Sequence, residues 1–411
     1  MRQMKEFEIS TACSISEVEQ LREVWQGMVT DPNADIDFYL AIVQSRSEVL
    51  RPHVIVVKQA GAIRSILVGR LEKKKIEVKI GYKTIVLSTV NCLTLVHGGL
   101  LGDQSESCIT AMIDAARECL NGGDADVVWF YGIDEQSEFY RQASRAGNSL
   151  TRDYFPGRIQ RWKLQLPGTY DELHRKLSSN TKHNLKRYSK RLREAFGDQL
   201  VIKSFSDISD LDWVLTDSEV VAGKSYHRGL GVGFIDNEET RRTLTLAAKG
   251  GWLRAYVLYG GGKPCAFWNG FLYGRTFFTV TTAYDPDIRD YRPGTFLLQR
   301  MLQDLCVEKS ADEVDFGFGD AQYKRDWCER EEVQASFFLF APTLKAVFLN
   351  CIRTPIMGMT ATVRQLLSKT GILQTLKRAW RDHLSKGKNQ AAATVQDGLR
   401  TVAQSASSPH M

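Results

Sequence analysis

The sequence predicts a mixed α/β (α+β) fold made of two copies of one unit, and three observations carry that prediction. Strand-like and helix-like runs alternate along the chain. Their order is the same in the first half and in the second. A chain of 411 residues also exceeds a typical single domain, which leaves roughly 150–170 residues per copy.

In the first half, "HVIVVK" and "AIRSILVGRLE" form a hairpin pattern, and "CLTLVHGGLLGD" is a strand running into glycines. The helix "SESCITAMIDAARECL" and the strand "ADVVWFYGI" follow. In the second half, "WLRAYVLYGGGKPCAFWNGFLYGRTFFTVTTAYD" gives strand, Gly-Gly turn, strand, turn and strand. A loop leads to the helix "TFLLQRMLQDLCVEK", whose Phe296, Leu297, Met301, Leu302 and Leu305 recur at helical spacing, and then to the strand "DEVDFGFGD".

Between the copies, "KLSSNTKHNLKRYSKRLREAFGD" predicts a helix with Leu185, Tyr188 and Leu192 on one side and Lys182, Lys186, Lys190 and Arg193 on another, stopped by Gly197. Further helices are expected around Asp210–Tyr226 and Asn237–Lys249. After the strand "VQASFFLFAPT", residues 344–384 look like two basic amphipathic helices broken at Gly371, and the Gln/Ala/Ser/Thr-rich tail from Lys386 is expected to be disordered. The expected domains are therefore 1–168, 169–342, the helices of 343–385, and the tail of 386–411.

Composition narrows the function classes. No cysteine pair is spaced C-x-x-C and no H-E-x-x-H occurs, so no metal is expected, and the eight thiols read as buried and reduced. The segment Met1–Cys13 is mixed polar and charged, unlike a signal peptide, and Lys345 interrupts the most apolar stretch, so no transmembrane segment and a cytoplasmic location are expected. The net charge of +6 is unevenly placed. Eight Lys/Arg and no acid lie between Arg175 and Arg193, and nine Lys/Arg against the single acid Asp382 lie from Lys345 to Lys388. Such blocks suit anionic partners: phosphates, nucleic acid or a membrane surface.

The loop "YDPDIRDYRPGT" ends a β-rich run and opens a helix. A helix N-terminus offers unpaired N–H groups to phosphate oxygens, and Gly294 lets a ligand approach the backbone. Pro293 pre-sets φ, Gly294 or Thr295 is available as N-cap, and Arg289 and Arg292 add donors that match phosphate. In the next strand Val314, Phe316 and Phe318 alternate with Asp315, Gly317 and Gly319, so one face is packed and the other is bare apart from a carboxylate. Asp320, Tyr323 and Lys324 follow directly. The matching strand of the first half is bulky on both faces and its loop lacks arginine, so the second copy reads as the active one and the first as a scaffold.

The pieces "GWLRAYVLYGGGKPCAFWNGFLYG", "YDPDIRDYRPGTFLL" and "DFGFGDAQYKRDW", with "LSSNTKHNLKRYSKRL" and "GKSYHRGLG" upstream, resemble the FemAB-like (CelD-like) acetyltransferases of the GNAT superfamily. The likeness spans roughly Leu173–Trp327 and reaches the first half only as architecture. It implies a tandem GNAT-like fold with acyl-CoA, acetyl-CoA first among the donors, held in a V-shaped split between two central strands. The family's pyrophosphate loop follows R/Q-x-x-G-x-G/A, and Arg289-Asp290-Tyr291-Arg292-Pro293-Gly294 keeps the first Arg and the last Gly but carries Arg292 in place of the middle Gly.

The implied reaction is attack of an amine on a thioester, which needs a proton acceptor, an oxyanion stabiliser and a donor for the leaving thiolate. Asp315 or Asp320 is the first choice for base or amine-orienting group, with His227 as an alternative base. Tyr323 or Tyr284 is the candidate thiolate donor, and Lys324 the candidate for stabilising negative charge or binding an acidic acceptor. The acceptor pocket is expected around Lys224, Tyr226 and His227, with Gly317 and Gly319 lining the cleft. Three functions compete: an N-acyltransferase on an amino sugar or envelope precursor; a tRNA-dependent transferase, as the peptidoglycan-bridge enzymes of this superfold are, using the basic helix 176–193; and a non-catalytic adaptor whose basic C-terminal helices dock on lipid or protein.

Overall fold

A computed structural model describes residues 7–80, 83–225, 228 and 233–369. Among the described residues thirteen strands join in one sheet. In the first half these are β1 (Glu8–Ala12), β2 (Val49–Pro52), β3 (Val54–Gln59), β4 (Ala62–Ile80), β5 (Lys83–Gly102), β6 (Val127–Asp134) and β7 (Gly157–Gln165). The second half adds β8 (Leu200–Phe205), β9 (Leu253–Gly260), β10 (Lys263–Tyr273), β11 (Thr276–Tyr284), β12 (Glu313–Phe318) and β13 (Arg330–Phe340). The strand order is β1-β3-β4-β5-β6-β13-β7-β12-β11-β10-β9-β8, with β2 beside β4.

The helices are α1 (Ile15–Glu19), α2 (Arg22–Met28), α3 (Ile36–Ser45), α4 (Glu106–Asn121), α5 (Glu138–Ala143) and α6 (Tyr170–Lys176), followed by α7 (Ser179–Phe196), α8 (Leu211–Lys224), α9 (Glu238–Lys249), α10 (Pro293–Glu308), α11 (Gln322–Trp327) and α12 (Leu344–Lys369).

The repeat is visible as a repeated crossover. β5 and β6 are parallel and joined by α4; β11 and β12 are parallel and joined by α10. Parallel neighbours cannot be linked by a tight turn, so each pair requires such a crossover helix. All other strand pairs are antiparallel. The closing strands are exchanged between the units. β7, which ends the first unit in sequence, pairs with β12 of the second; β13, which ends the second, pairs with β6 of the first. β7 and β13 also pair with each other, so the two units share one unbroken sheet.

Both faces of that sheet are covered. Along β3, Ile55 and Val57 pack towards α4 while Val54 and Val56 pack towards Trp25, Ile36 and Tyr39. In the second half, α7 and α10 cover one face through Leu185, Leu192, Leu297, Met301 and Leu305, and α8 and α9 cover the other through Val214, Leu215, Leu244 and Ala247. Strands buried on both faces read as continuous apolar runs, which is the pattern of "HVIVVK".

Several sequence expectations change here. "HGGLL" is not a loop: β5 runs through it to Gly102, and only Asp103–Ser105 separate strand from helix. The helix predicted from Thr295 begins at Pro293, because Arg292 adopts the left-handed conformation (φ 56°) as its N-cap. α12 is one helix through Pro355 to Lys369; Gly371 and the tail lie outside the described residues. By length and composition Leu344–Val363 is apolar enough to cross a membrane, which a search for an unbroken apolar run misses because Lys345 and Arg353 interrupt it.

Candidate active site

The parallel strands β11 and β12 pair only over Thr276–Phe278 and Glu313–Asp315, and then part. Two features of the chain drive them apart. β10 and β11 shift register at Asn269/Gly270, and Gly317 takes φ +66° just after the last paired residue. A bulge and a positive-φ glycine both bend a strand away from its neighbour. The result is a cleft of about 470 Å³ whose walls include Thr279–Thr282 on one side and Asp315–Phe318, Tyr323 and Lys324 on the other. The Thr281 hydroxyl is buried and makes no hydrogen bond. A buried polar atom without a partner is costly and fits a wall that meets a polar ligand.

The expected alternation of β12 ends at Gly317. Val314 and Phe316 pack into the core beneath α10, as predicted. Phe318 does not join them: it lies edge-on to His97, with ring centroids 5.3 Å apart, and beneath the Arg161 guanidinium. The positive φ of Gly317 breaks the two-residue period and swings the next side chain across the sheet.

Asp315 is buried at 2% exposure, with Oδ1 hydrogen-bonded and Oδ2 in ion-pair contact without a hydrogen bond. Oδ1 accepts from the Gly317 N–H at 2.7 Å, and Oδ2 lies 2.5 Å from Arg161. Arg161 projects from β7, the exchanged strand, and also reaches Asp31 at 3.3 Å and Nε2 of His97. The His97 Nδ1 donates to the Gly132 carbonyl at 3.2 Å, which leaves Nε2 as the acceptor of the arginine's N–H. Burial, reinforced by the Arg161 charge, holds this histidine below its ordinary pKa and therefore neutral. Burial opposes the Arg161 charge, but the carboxylates of Asp315 and Asp31 outweigh it, and the guanidinium's pKa is raised.

Sequence reading misses Asp31, His97 and Arg161. The glycines of the first half were the visible trace of them. A Cβ on Gly98 would sit 2.4 Å from the Asp31 Cβ, and one on Gly132 would sit 2.7 Å from the His97 Nδ1. The first half is therefore no distant scaffold: Asn33, Phe38, His97 and Tyr131 complete the cleft wall.

Lys324 is 4% exposed and donates to the carbonyls of Gly317 at 3.2 Å and Phe318 at 2.8 Å. The nearby Asp326 accepts from Gln322. Burial depresses its pKa to about 8. Tyr323 lies on the cleft wall, edge-on to Trp268 and Phe316. Asp320 is drawn away from the cleft by its ion pair with Arg325. Gly319 closes the strand, donating to the Gln160 carbonyl at 2.9 Å.

The arginine loop is a helical turn, Pro286–Tyr291, that leads into α10. Arg289 extends into solvent, its side chain 73% exposed and 3.9 Å from Asp290. Arg292 lies over the Tyr188 ring of α7 at 5.8 Å and caps nothing with its side chain. Neither Gly294 nor Thr295 is the N-cap: Pro293 is the first helical residue, and the Thr295 and Phe296 N–H groups turn to the Arg292 carbonyl. Tyr284 stands beside Gly294 at ordinary contact distance, at the loop rather than in the cleft. Lys224 is also outside the cleft, paired at 2.5 Å with Asp285, which raises its pKa. Tyr226 and His227 lie outside the described residues.

Comparison with known proteins agrees with this architecture. Residues 179–325 match the family described as acetyltransferase (GNAT) domain. Among solved structures, one titled as FemX superposes with a TM-score of 0.53 at 10% identity, covering 81% of this chain and 97% of that one. The C-terminal domain of a lysylphosphatidylglycerol synthetase from Agrobacterium fabrum gives 0.46 at 12% identity, covering 84% and 95%. A tandem GNAT protein from the clavulanic acid biosynthesis pathway gives 0.44 at 12% identity, covering 82% and 99%. At such identities the first likeness shows a shared fold. No curated protein matches the sequence.

Proposed function

We propose that this chain, whose residues 179–325 match the acetyltransferase (GNAT) domain family and whose fold is shared with FemX, transfers an acyl group, acetyl first among them, from acyl-CoA to the amine of a small acceptor such as an amino sugar or envelope precursor. The observation that carries this reading is the parting of β11 and β12. It leaves the backbone of Thr279–Thr282 along one wall, where an extended thioester arm can hydrogen-bond as a further strand would. At the loop end of the split, Arg289 and Arg292 are exposed, and with the start of α10 they are proposed to receive the pyrophosphate.

In the proposed reaction the amine nitrogen bonds to the thioester carbon, and the carbonyl oxygen becomes an oxyanion. The C–S bond then breaks, the nitrogen's surplus proton passes to water, and the thiolate takes a proton. Lys324 has two N–H groups fixed on carbonyls, so as an ammonium it keeps a third for the oxyanion. Tyr323 is the proposed donor to the thiolate, being the tyrosine that lines the cleft next to Lys324. Asp315 is proposed to organise the site, since Oδ1 is hydrogen-bonded to the Gly317 N–H and Oδ2 is ion-paired with Arg161. The acceptor is proposed to enter along Asn33, Phe38 and Tyr131.

A second reading has one observation behind it. A groove of about 830 Å³ runs between α7 and α10, lined by Lys182, Lys186, Lys190, Arg193 and Arg300. It suits a nucleic-acid backbone and hence an aminoacyl-tRNA donor. Thiol release from acetyl-CoA across an amine panel, run beside salt-dependent tRNA binding, separates the two. Amine-dependent release supports the first; its absence together with tight, salt-sensitive tRNA binding supports the second.

A further inference from the structure

The β4–β5 hairpin, in the interior of the sheet order, reaches well past its neighbours, pairing out to Ile80 and Lys83, and α12 lies against it. The Thr360 hydroxyl donates to the Lys79 carbonyl at 3.1 Å. One side of α12 is fixed to the body. Ala346, Leu349, Asn350 and Arg353 are buried, Asn350 donates to the carbonyls of Leu150 and Arg152, and Arg353 pairs with Asp153 at 2.7 Å. The opposite side is apolar and bare. Leu344, Phe348, Met359, Val363 and Leu366 fall on one stripe by helical spacing, and Phe348 and Leu366 are 67% and 60% exposed. The hairpin tip adds Ile80, Ile85 and Val86, all exposed.

Apolar surface of this kind marks an interaction site rather than ordinary scatter. The charges around it indicate the partner. No Asp or Glu occurs in 344–369 or in 78–102, whereas Lys79, Lys83 and Lys345 are exposed at the tip and at the head of the helix. Lys345 is paired with Asp126 at 2.9 Å, which leaves Lys79 and Lys83 at the tip as the cations beside the stripe. An apolar stripe with cations at one end and no acid in its own segments complements a bilayer of anionic phospholipid: the side chains enter the acyl boundary and the tip lysines meet the headgroups. The buried face, held by the Arg353–Asp153 pair, keeps the helix lying on the protein rather than crossing the bilayer.

We infer that α12 and the β4–β5 hairpin tip form a peripheral docking surface for anionic membrane, independent of the acyltransferase reading. The test is co-sedimentation of the full chain with vesicles of phosphatidylcholine alone and of phosphatidylcholine with about one-third phosphatidylglycerol. The wild type is expected to bind the anionic vesicles only, less so at high salt. The variant Phe348→Glu/Leu366→Glu is expected to bind about tenfold more weakly or worse, while circular dichroism and melting temperature stay unchanged because both side chains are exposed. Absence of wild-type binding, or equal binding by the folded variant, overturns the inference. So does wild-type self-association in solution that the same variant abolishes, since that assigns the face to a second copy.

Discussion

Arg161 and Asp315 meet at 2.5 Å inside the protein, and the same guanidinium reaches Asp31 at 3.3 Å, so one cation on the exchanged strand β7 holds a carboxylate from each half. Sheet continuity and site geometry therefore depend on the same residue. Arg161→Met leaves two buried carboxylates uncompensated and is expected to cost about 3–5 kcal/mol in chemical unfolding. The double variant Arg161→Met/Asp315→Asn is expected to recover part of that loss, because one of the stranded charges is gone.

The lysine at the cleft wall makes a kinetic prediction. Lys324→Met is expected to lower kcat by roughly 10²–10³-fold with a smaller change in KM, as removal of an oxyanion donor does. The ammonium is the active form, so wild-type activity is expected to fall as pH rises through about 8, and the variant's residual activity to lack that limb. A pH–rate profile of both proteins checks this.

Acid stability follows from two buried histidines. Burial, with Arg51 beside it, lowers the His53 pKa to about 4, and His97 is lowered by burial and Arg161. A histidine that stays neutral in the fold takes up its proton more readily when unfolded. Its contribution is therefore present above the unfolded value of about 6.5 and is lost as pH falls from there towards 4. For His53 the loss reaches roughly 3 kcal/mol at the acid end. Unfolding free energies measured from pH 7.5 to 4 are expected to decline over that window, and His53→Gln to flatten the decline.

Two positive-φ glycines separate backbone strain from collision. Gly61, at φ +80° with open space around it, is expected to cost about 1 kcal/mol on change to alanine. Gly98, at φ +73° and with its new Cβ 2.4 Å from Asp31, is expected to cost clearly more, about 2–4 kcal/mol. Melting curves of the two single variants decide whether the glycine of "HGG" serves the approach of Asp31.

Much of the fold was legible because each element carries its own signal. The apolar spacing of Phe296–Leu305 and the Gly-Gly turn before Lys263 need no partner to be read. The exchange of β7 and β13 was not legible, since strand pairing is a long-range choice that leaves no local mark. The site divides in the same way. Asp315, Gly317, Tyr323 and Lys324 are near neighbours in sequence, and a glycine-bearing strand drew attention to them. Asp31, His97 and Arg161 are scattered and gather only when the sheet forms. Phe318 was misplaced because its side depends on the dihedral of Gly317, which composition does not reveal.

The split between β11 and β12 is proposed to receive acyl-CoA, with the arginine loop holding its pyrophosphate. Calorimetric titration of acetyl-CoA into the wild type and into Arg289→Ala/Arg292→Ala tests this most directly. Micromolar binding by the wild type, weakened about tenfold or more in the variant, is the predicted result. Absence of binding by the wild type, or equal affinity in the two proteins, would contradict it.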